Sequence, residues 1–306
     1  VLGMRFSGVY RQGDTASDKQ SQRDKVAAAA LDYAGARGRV SVDLIHQIQD
    51  IDRVVRQFSI APTLTDTPSA PDSSLNYPGY GRSRTEDNSA VVRGEYDLTD
   101  AATLYAGLGQ RKHEMDAVAG NPILLNSAGH FASSPAWQVF KVKSTSAEAG
   151  LDLRFRTGAV GHRLALGATR VEQDSDIYFL FAGLAPERSS NIHDPIYSPT
   201  PDTSPFSANT VDYNDTTLTS FAVADTLSFL DDRVLVTLGA RHQRVEAQAY
   251  DFVSGAPSGP AYDEHEVTPV AGVVVKPWHN VSLYASDYDA PRSLRSKRAG
   301  STSRTH

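Results

Sequence analysis

Two kinds of connection alternate along this chain, and their sorting restricts the fold more than any single motif. Segments with a two-residue apolar period are joined by a very short polar turn, then by a much longer loop, repeatedly. The short joins fall at 35–38, 99–101, 157–161, 230–232 and 277–280. The long ones fall at 13–23, 61–85, 115–141, 176–212 and 251–264. A transmembrane β-barrel needs this asymmetry, because its hairpins turn tightly on the periplasmic side and carry long loops on the outer side. A soluble sandwich has no reason to sort its loops.

The segments themselves alternate cleanly. Leu2, Met4, Phe6, Gly8 and Tyr10 share one parity, and Arg5, Ser7 and Arg11 hold the other. Ala147, Ala149, Leu151, Leu153 and Phe155 likewise oppose Glu148, Asp152, Arg154 and Arg156. Such a pattern predicts strands with one apolar and one charged face. Eleven are expected, at 1–12, 24–34, 39–50, 87–98, 102–113, 143–156, 162–174, 216–229, 233–250, 266–276 and 281–286, with 54–60 extending the third. Stretches of about ten residues cross a bilayer when tilted. The fold class expected is all-β, an antiparallel transmembrane barrel fragment built as a meander. Tyr96, Tyr105, Phe155, Phe229, Trp278 and Tyr284 lie near short turns, where a barrel carries its aromatic girdle.

Composition excludes more than it selects. No run approaches the roughly 20 apolar residues of a helical span. The absence of cysteine removes disulfides, thiolate metal sites and cysteine nucleophiles. No secretory signal opens the sequence, so an exported protein of this kind would have its true start elsewhere. The stretch 291–306 holds Arg292, Arg295, Lys297, Arg298 and Arg304 without an acid. The remainder therefore has 25 of the 30 basic residues against 36 acids, a balance of −11. An acidic body argues against nucleic-acid binding.

No constellation supports catalysis. The nine histidines are scattered with no i, i+4 pair for a metal, and neither a nucleophile elbow nor a phosphate loop occurs. The glycine-rich run from Tyr77 to Gly81 lacks nucleotide-site spacing and reads as a loop turn. Arg93, Glu95 and Asp97 share a strand face and are expected to pair laterally with neighbours such as Arg111. The expectation is a non-enzyme with no metal ligands of its own.

Three stretches carry a specific likeness: RGEYDLTDAATLYAGLG at 93–109, LSFLDDRVLVTLGARHQ at 227–243 and VTPVAGVVVKPWHNVSLYAS at 267–286. They resemble TonB-dependent ferric-siderophore receptors of the bacterial outer membrane. The resemblance implies a barrel of about 22 strands, plugged by an N-terminal domain and importing an iron chelate with energy from the TonB complex. On that reading 1–286 is part of the barrel, without the plug, its TonB-contacting segment or the later strands. The basic tail 287–306 abandons the pattern, as a disordered segment or a shifted reading frame would.

A siderophore fills the coordination sphere of its iron, so the implied ligand, a ferric siderophore, asks for aromatic and polar groups rather than metal ligands. Within the long loops the candidates are Tyr77, Tyr80, Trp137, Tyr178, Phe179, Arg188 and Tyr197. The implied partners are the chelate, outer-membrane lipid and the TonB complex, with no covalent cofactor. Two rivals are a passive porin and a soluble all-β carbohydrate-binding module or enzyme. A plug encoded upstream would exclude the first, and a requirement for detergent the second.

Overall fold

The computed structural model describes residues 1–181 and 183–288, and it contains no helix among them. The strands are β1 (Leu2–Asp14), β2 (Ser21–Ala34), β3 (Gly38–Asp52), β4 (Ser59–Ile60), β5 (Arg82–Thr99), β6 (Ala102–Leu124), β7 (His130–Thr157), β8 (Val160–Leu180), β9 (Arg188–Asn191), β10 (Val211–Phe229), β11 (Val234–Ala249), β12 (Tyr262–Trp278) and β13 (Val281–Tyr288). Eleven of them pair in chain order as one antiparallel meander, β1-β2-β3-β5-β6-β7-β8-β10-β11-β12-β13, and the sheet does not close. Neighbour-only pairing is what consecutive hairpins produce. A two-sheet sandwich is thereby excluded for the described residues. The last strand runs two residues beyond Ser286; the rest of the basic tail, 289–306, lies outside the described residues.

All five short turns fall where the alternation breaks. The two-residue turn between β7 and β8 needs a positive φ, which Gly158 supplies at 60°. The turn between β10 and β11 holds Leu230, Asp231 and Asp232 in the left-handed region at 53°, 53° and 63°.

Register assigns the faces. Leu151 lies opposite Leu104 and Leu166, and Leu153 opposite Leu164. Leu164 lies opposite Asp225, which in turn faces Leu238, and Val236 faces Leu227. Directly opposed residues share a face, so Leu151, Leu153, Leu164, Leu166, Val236 and Leu238 belong to one apolar face. Arg93, Glu95, Asp152, Arg154 and Arg241 belong to the other. The apolar face also carries one polar pair near the short turns: His162 Nδ1 sits 2.7 Å from Asp225 Oδ2 while its ring stacks on Phe155 at 4.5 Å.

The charged face is cross-linked by ion pairs. Arg39 reaches Glu95 and Asp97, each at 2.9 Å, Arg111 reaches Asp87 at 2.5 Å, and Arg11 reaches Asp24 at 2.6 Å. Arg93 pairs with Glu148 at 3.7 Å. The lateral pairing expected for this trio is present, but its partners are Arg39 and Glu148, because the register sets Arg111 two rows away beside Asp87.

Three expectations change. The supposed loop 115–141 is mostly strand, with β6 and β7 rising together to a connection of only 125–129. The segment 54–60 does not extend β3: the chain turns at Arg53, whose φ is 55°, and β4 pairs parallel with β6 at Ile123 and Leu124. Of the six girdle aromatics, Tyr96, Phe155, Phe229 and Trp278 lie on the apolar face, whereas Tyr105 and Tyr284 share a face with Glu95 and Val274. Tyr105 turns inward because Gly150 and Gly167 leave its ring room where a Cβ would collide or crowd.

A charge on the apolar face at mid-height should block assembly. Leu166→Arg places a guanidinium near the bilayer midplane, at a cost of about 2 to 4 kcal/mol. Heat-modifiable mobility on gels should show folded protein strongly reduced for Leu166→Arg and normal for Ala165→Arg, one position away on the charged face.

Candidate functional site

Beyond the barrel-like part, the β6–β7 hairpin stands as a platform that the long connections cover from both sides. On the continuation of the apolar face, Val118, Trp137 and Val139 are buried with Leu184, and Tyr178, Leu180, Phe206 and Ala208 pack against them. Nearer the tip, Leu124, Phe131 and Ile192 are buried against Phe58, Leu64 and Tyr77. Burying a large apolar side chain is worth about 1.5 to 3 kcal/mol, so these clusters fasten segments 53–81 and 181–210 to the platform.

The predicted ligand residues fall mostly in this fastening. Trp137 sits on β7, not in a loop; it is 6% exposed and donates from Nε1 to Asp116 Oδ1 at 2.9 Å. The same oxygen accepts from Arg82 at 3.0 Å. Tyr178 packs edge-on against the Trp137 ring at 5.2 Å. Tyr80 is 1% exposed, and its hydroxyl lies 2.9 Å from Ser133 Oγ. Burial raises the pKa of that phenol, more than the Ser133 bond and the Arg188 charge lower it, so it remains a neutral hydrogen-bonding group.

Arg188, on β9, lies over the Tyr80 ring at 4.4 Å and donates to Ser198 Oγ at 2.6 Å and Pro199 O at 3.0 Å. One guanidinium therefore ties segment 53–81, segment 181–210 and, through Tyr80, the β7 strand into one body. Tyr77 packs against Phe58 with ring centres 4.8 Å apart and planes tilted by 45°. Tyr197 lies beneath Lys19, 4.0 Å from its ring centre, which brings the β1–β2 connection onto the same body.

Phe179 is different. It lies opposite Gln138, on the continuation of the charged face. There it stacks on Phe181 at 3.8 Å, and Phe181 meets Phe252 edge-on at 6.4 Å. On the same face Phe140 lies between Met115 and Ile177 and meets Tyr213 at 6.2 Å. The mouth of the charged face is thus a wall of Phe140, Phe179, Phe181, Tyr213 and Phe252, above ion-paired strands. Sequence reading missed Phe140, Tyr213 and Phe252, because only cross-strand register shows that residues from β7, β8, β10 and the 250–261 connection converge. The alternation signal on β7 and β8, continued past Lys143 and Asp174, would have placed Phe140 and Phe179.

Comparison with known proteins gives this geometry its context. Residues 19–288 match the family model described as TonB dependent receptor-like, beta-barrel. The chain belongs to that family. Its strands accordingly lie in the outer membrane, and the family is one of receptors. Over 297 residues, 94% of the chain, it is 31% identical to the ferrichrome receptor FcuA of Yersinia enterocolitica, of which it covers 38%. Among solved structures it matches BauA, the ferric preacinetobactin receptor of Acinetobacter baumannii, at 31% identity and a TM-score of 0.81. There it covers 93% of this chain and 42% of BauA. The siderophore receptor PiuA, also of A. baumannii, shares the fold at 18% identity and a TM-score of 0.73, with coverage of 93% and 44%. The chain thus spans about two fifths of the length of these relatives.

The fastening role of Trp137 has a measurable consequence. Trp137→Phe retains most of the packing but strands Asp116 with one donor fewer, a loss of about 1 kcal/mol. Amide exchange across 116–139 should quicken by about fivefold, while exchange in β10 and β11 stays unchanged.

Proposed function

We propose that this chain forms the part of an outer-membrane receptor that presents a ferric siderophore to the barrel interior, for uptake driven by the TonB complex through a plug domain. The observation that carries the reading is the aromatic wall at the mouth of the charged face. A chelate offers flat, partly apolar ligand arms, and Phe140, Phe179, Phe181, Tyr213 and Phe252 supply matching contact area at that mouth. The family membership and the names of the relatives support the substrate class.

In this reading the seven loop candidates divide by role. Phe179 touches the chelate. Tyr77, Tyr80, Trp137, Tyr178, Arg188 and Tyr197 hold the covering segments in the shape that frames the mouth. Removing them costs affinity indirectly, through order rather than contact.

The two roles are separable in the complete receptor. Phe179→Ala with Phe181→Ala should raise the dissociation constant at least tenfold, about 1.4 kcal/mol, for whichever of ferrichrome and ferric preacinetobactin binds the parent protein. Outer-membrane abundance and amide exchange of 181–210 should stay normal. Arg188→Ala should weaken binding only together with faster exchange in that segment. Unchanged affinity in the double variant at normal abundance would remove the aromatic wall from recognition.

A further inference from the structure

Between the platform and its two covering segments lies a recess of about 340 Å³ that shares no residue with the aromatic wall. Phe131 and Ser133 line it from β7, and register sets Ser190 opposite Phe131 and Arg188 opposite Ser133. Directly opposed residues share a face, and Phe131 and Ser133 have the parity of Trp137. The recess therefore lies on the other side of the hairpin from Phe179, which faces Gln138. Pro78, Ser189, Ile196 and Ser198 complete the lining.

Its polar groups are left as donors. Ser190 Oγ accepts from the Ile196 amide at 2.8 Å, and Ser198 Oγ accepts from Arg188 Nη1 at 2.6 Å. Neither hydroxyl donates to an acceptor among the described residues, so each keeps its O–H for a ligand. Arg188 uses only Nη1, on Ser198 and Pro199; Nε and Nη2 have no hydrogen bond, and the guanidinium has no ion pair, among the described residues. No carboxylate lines the recess among those residues. Glu187, one position before Arg188, is held on the charged parity by Ser134 Oγ, 3.2 Å from its Oε2. Donors gathered around an uncompensated guanidinium select an anion. The Nε–Nη2 fork takes two oxygens of one oxyanion, and the serine hydroxyls serve a further oxygen, which a carboxylate lacks and a phosphate ester, with about three terminal oxygens, provides. Pro78, Phe131 and the 63% exposed Ile196 add apolar contact that a bare ion cannot use. The volume also reaches the range of organic-ligand pockets, which begins near about 300 Å³.

We propose that this recess binds a small phosphate ester, its phosphate on Arg188, Ser190 and Ser198 and its carbon portion against Pro78, Phe131 and Ile196. The ligand touches β7, segment 53–81 and segment 181–210 at once, so its binding ties the covering segments to the platform. The site is separate from the aromatic wall and does not depend on what that wall binds.

The test uses the complete receptor in detergent and phosphate-free buffer, titrated calorimetrically with glycerol 3-phosphate, inorganic phosphate, acetate and glycerol. Glycerol 3-phosphate should bind at least tenfold more tightly than inorganic phosphate or acetate, and glycerol should not bind. Bound ester should slow amide exchange at 76–81 and 188–198 at least threefold while leaving 211–218 unchanged, a readout that needs no variant. Arg188→Lys keeps the charge but loses the fork, and should weaken the ester at least tenfold. Ser198→Ala, which leaves Arg188 its bond to Pro199, should weaken it at least threefold. Equal affinity for the ester and inorganic phosphate would overturn the ester as occupant. A parent that binds none of the probes, protection that spares 188–198, or an Arg188→Lys variant that binds as the parent does would overturn the site. Displacement of the ester by saturating ferrichrome or ferric preacinetobactin would overturn its separation from the aromatic wall.

Discussion

In hydrocarbon an unpaired backbone amide has no water to fall back on, and that constraint organises this molecule. From β1 to β13 each interior strand pairs on both sides, in a register that slips only at Asp97, Asp212 and Val275. Once register is fixed, side-chain parity is fixed with it, because a one-residue slip would exchange the two faces of a strand completely. The position of Arg93 on the charged face and of Leu166 on the apolar face are therefore one fact. The ion pairs of the charged face follow from it, since they can form only between rows that the backbone has already brought into line.

One parity meets different surroundings at different heights. Along β7 the odd positions present Phe155, Leu153 and Leu151 to the apolar band, then Lys143 and Lys141 to a charged rim, then Val139, Trp137, Ser133 and Phe131 to covering segments. A single strand thus serves as membrane wall, headgroup rim and platform core. The even positions run from Arg154 and Asp152 through Glu148 to Phe140 and Gln138, from a charged interior to an aromatic mouth. The change from charge to aromatic surface falls between Glu148 and Phe140.

This layering decides what could be read from the sequence. Where one face meets lipid and the other meets charge, alternation dominates despite runs such as Ala27 to Ala30 and Val273 to Val275, and all five short turns and the middle of all eleven meander strands were legible. Above the rim the hairpin is covered on both faces: Ala136 and Val118 are both buried though they belong to opposite parities. Two-sided burial erases the two-residue period, and Pro122 and Pro135 add a further signal for loop. That is why 115–141 read as a connection. The partners of Glu95 and Asp97 were hidden for a different reason, since Arg39 lies more than fifty residues away and only register brings it opposite.

The candidate site divides along the same line. Tyr80, Trp137 and Arg188 were visible as aromatic and cationic residues amid polar loops, and residue type alone cannot distinguish an aromatic that contacts ligand from one that locks a loop. Parity can. Trp137 and Tyr178 lie on the apolar parity beneath segment 181–210, while Phe179, the next residue after Tyr178, lies on the charged parity that opens at the mouth. Adjacent aromatics thus have opposite surroundings, and a loop fastened by Tyr178 on one side holds Phe179 steady on the other. The rigidity of the platform and the exposure of the aromatic wall are consequences of the same strand, which extends the hairpin well above the charged rim.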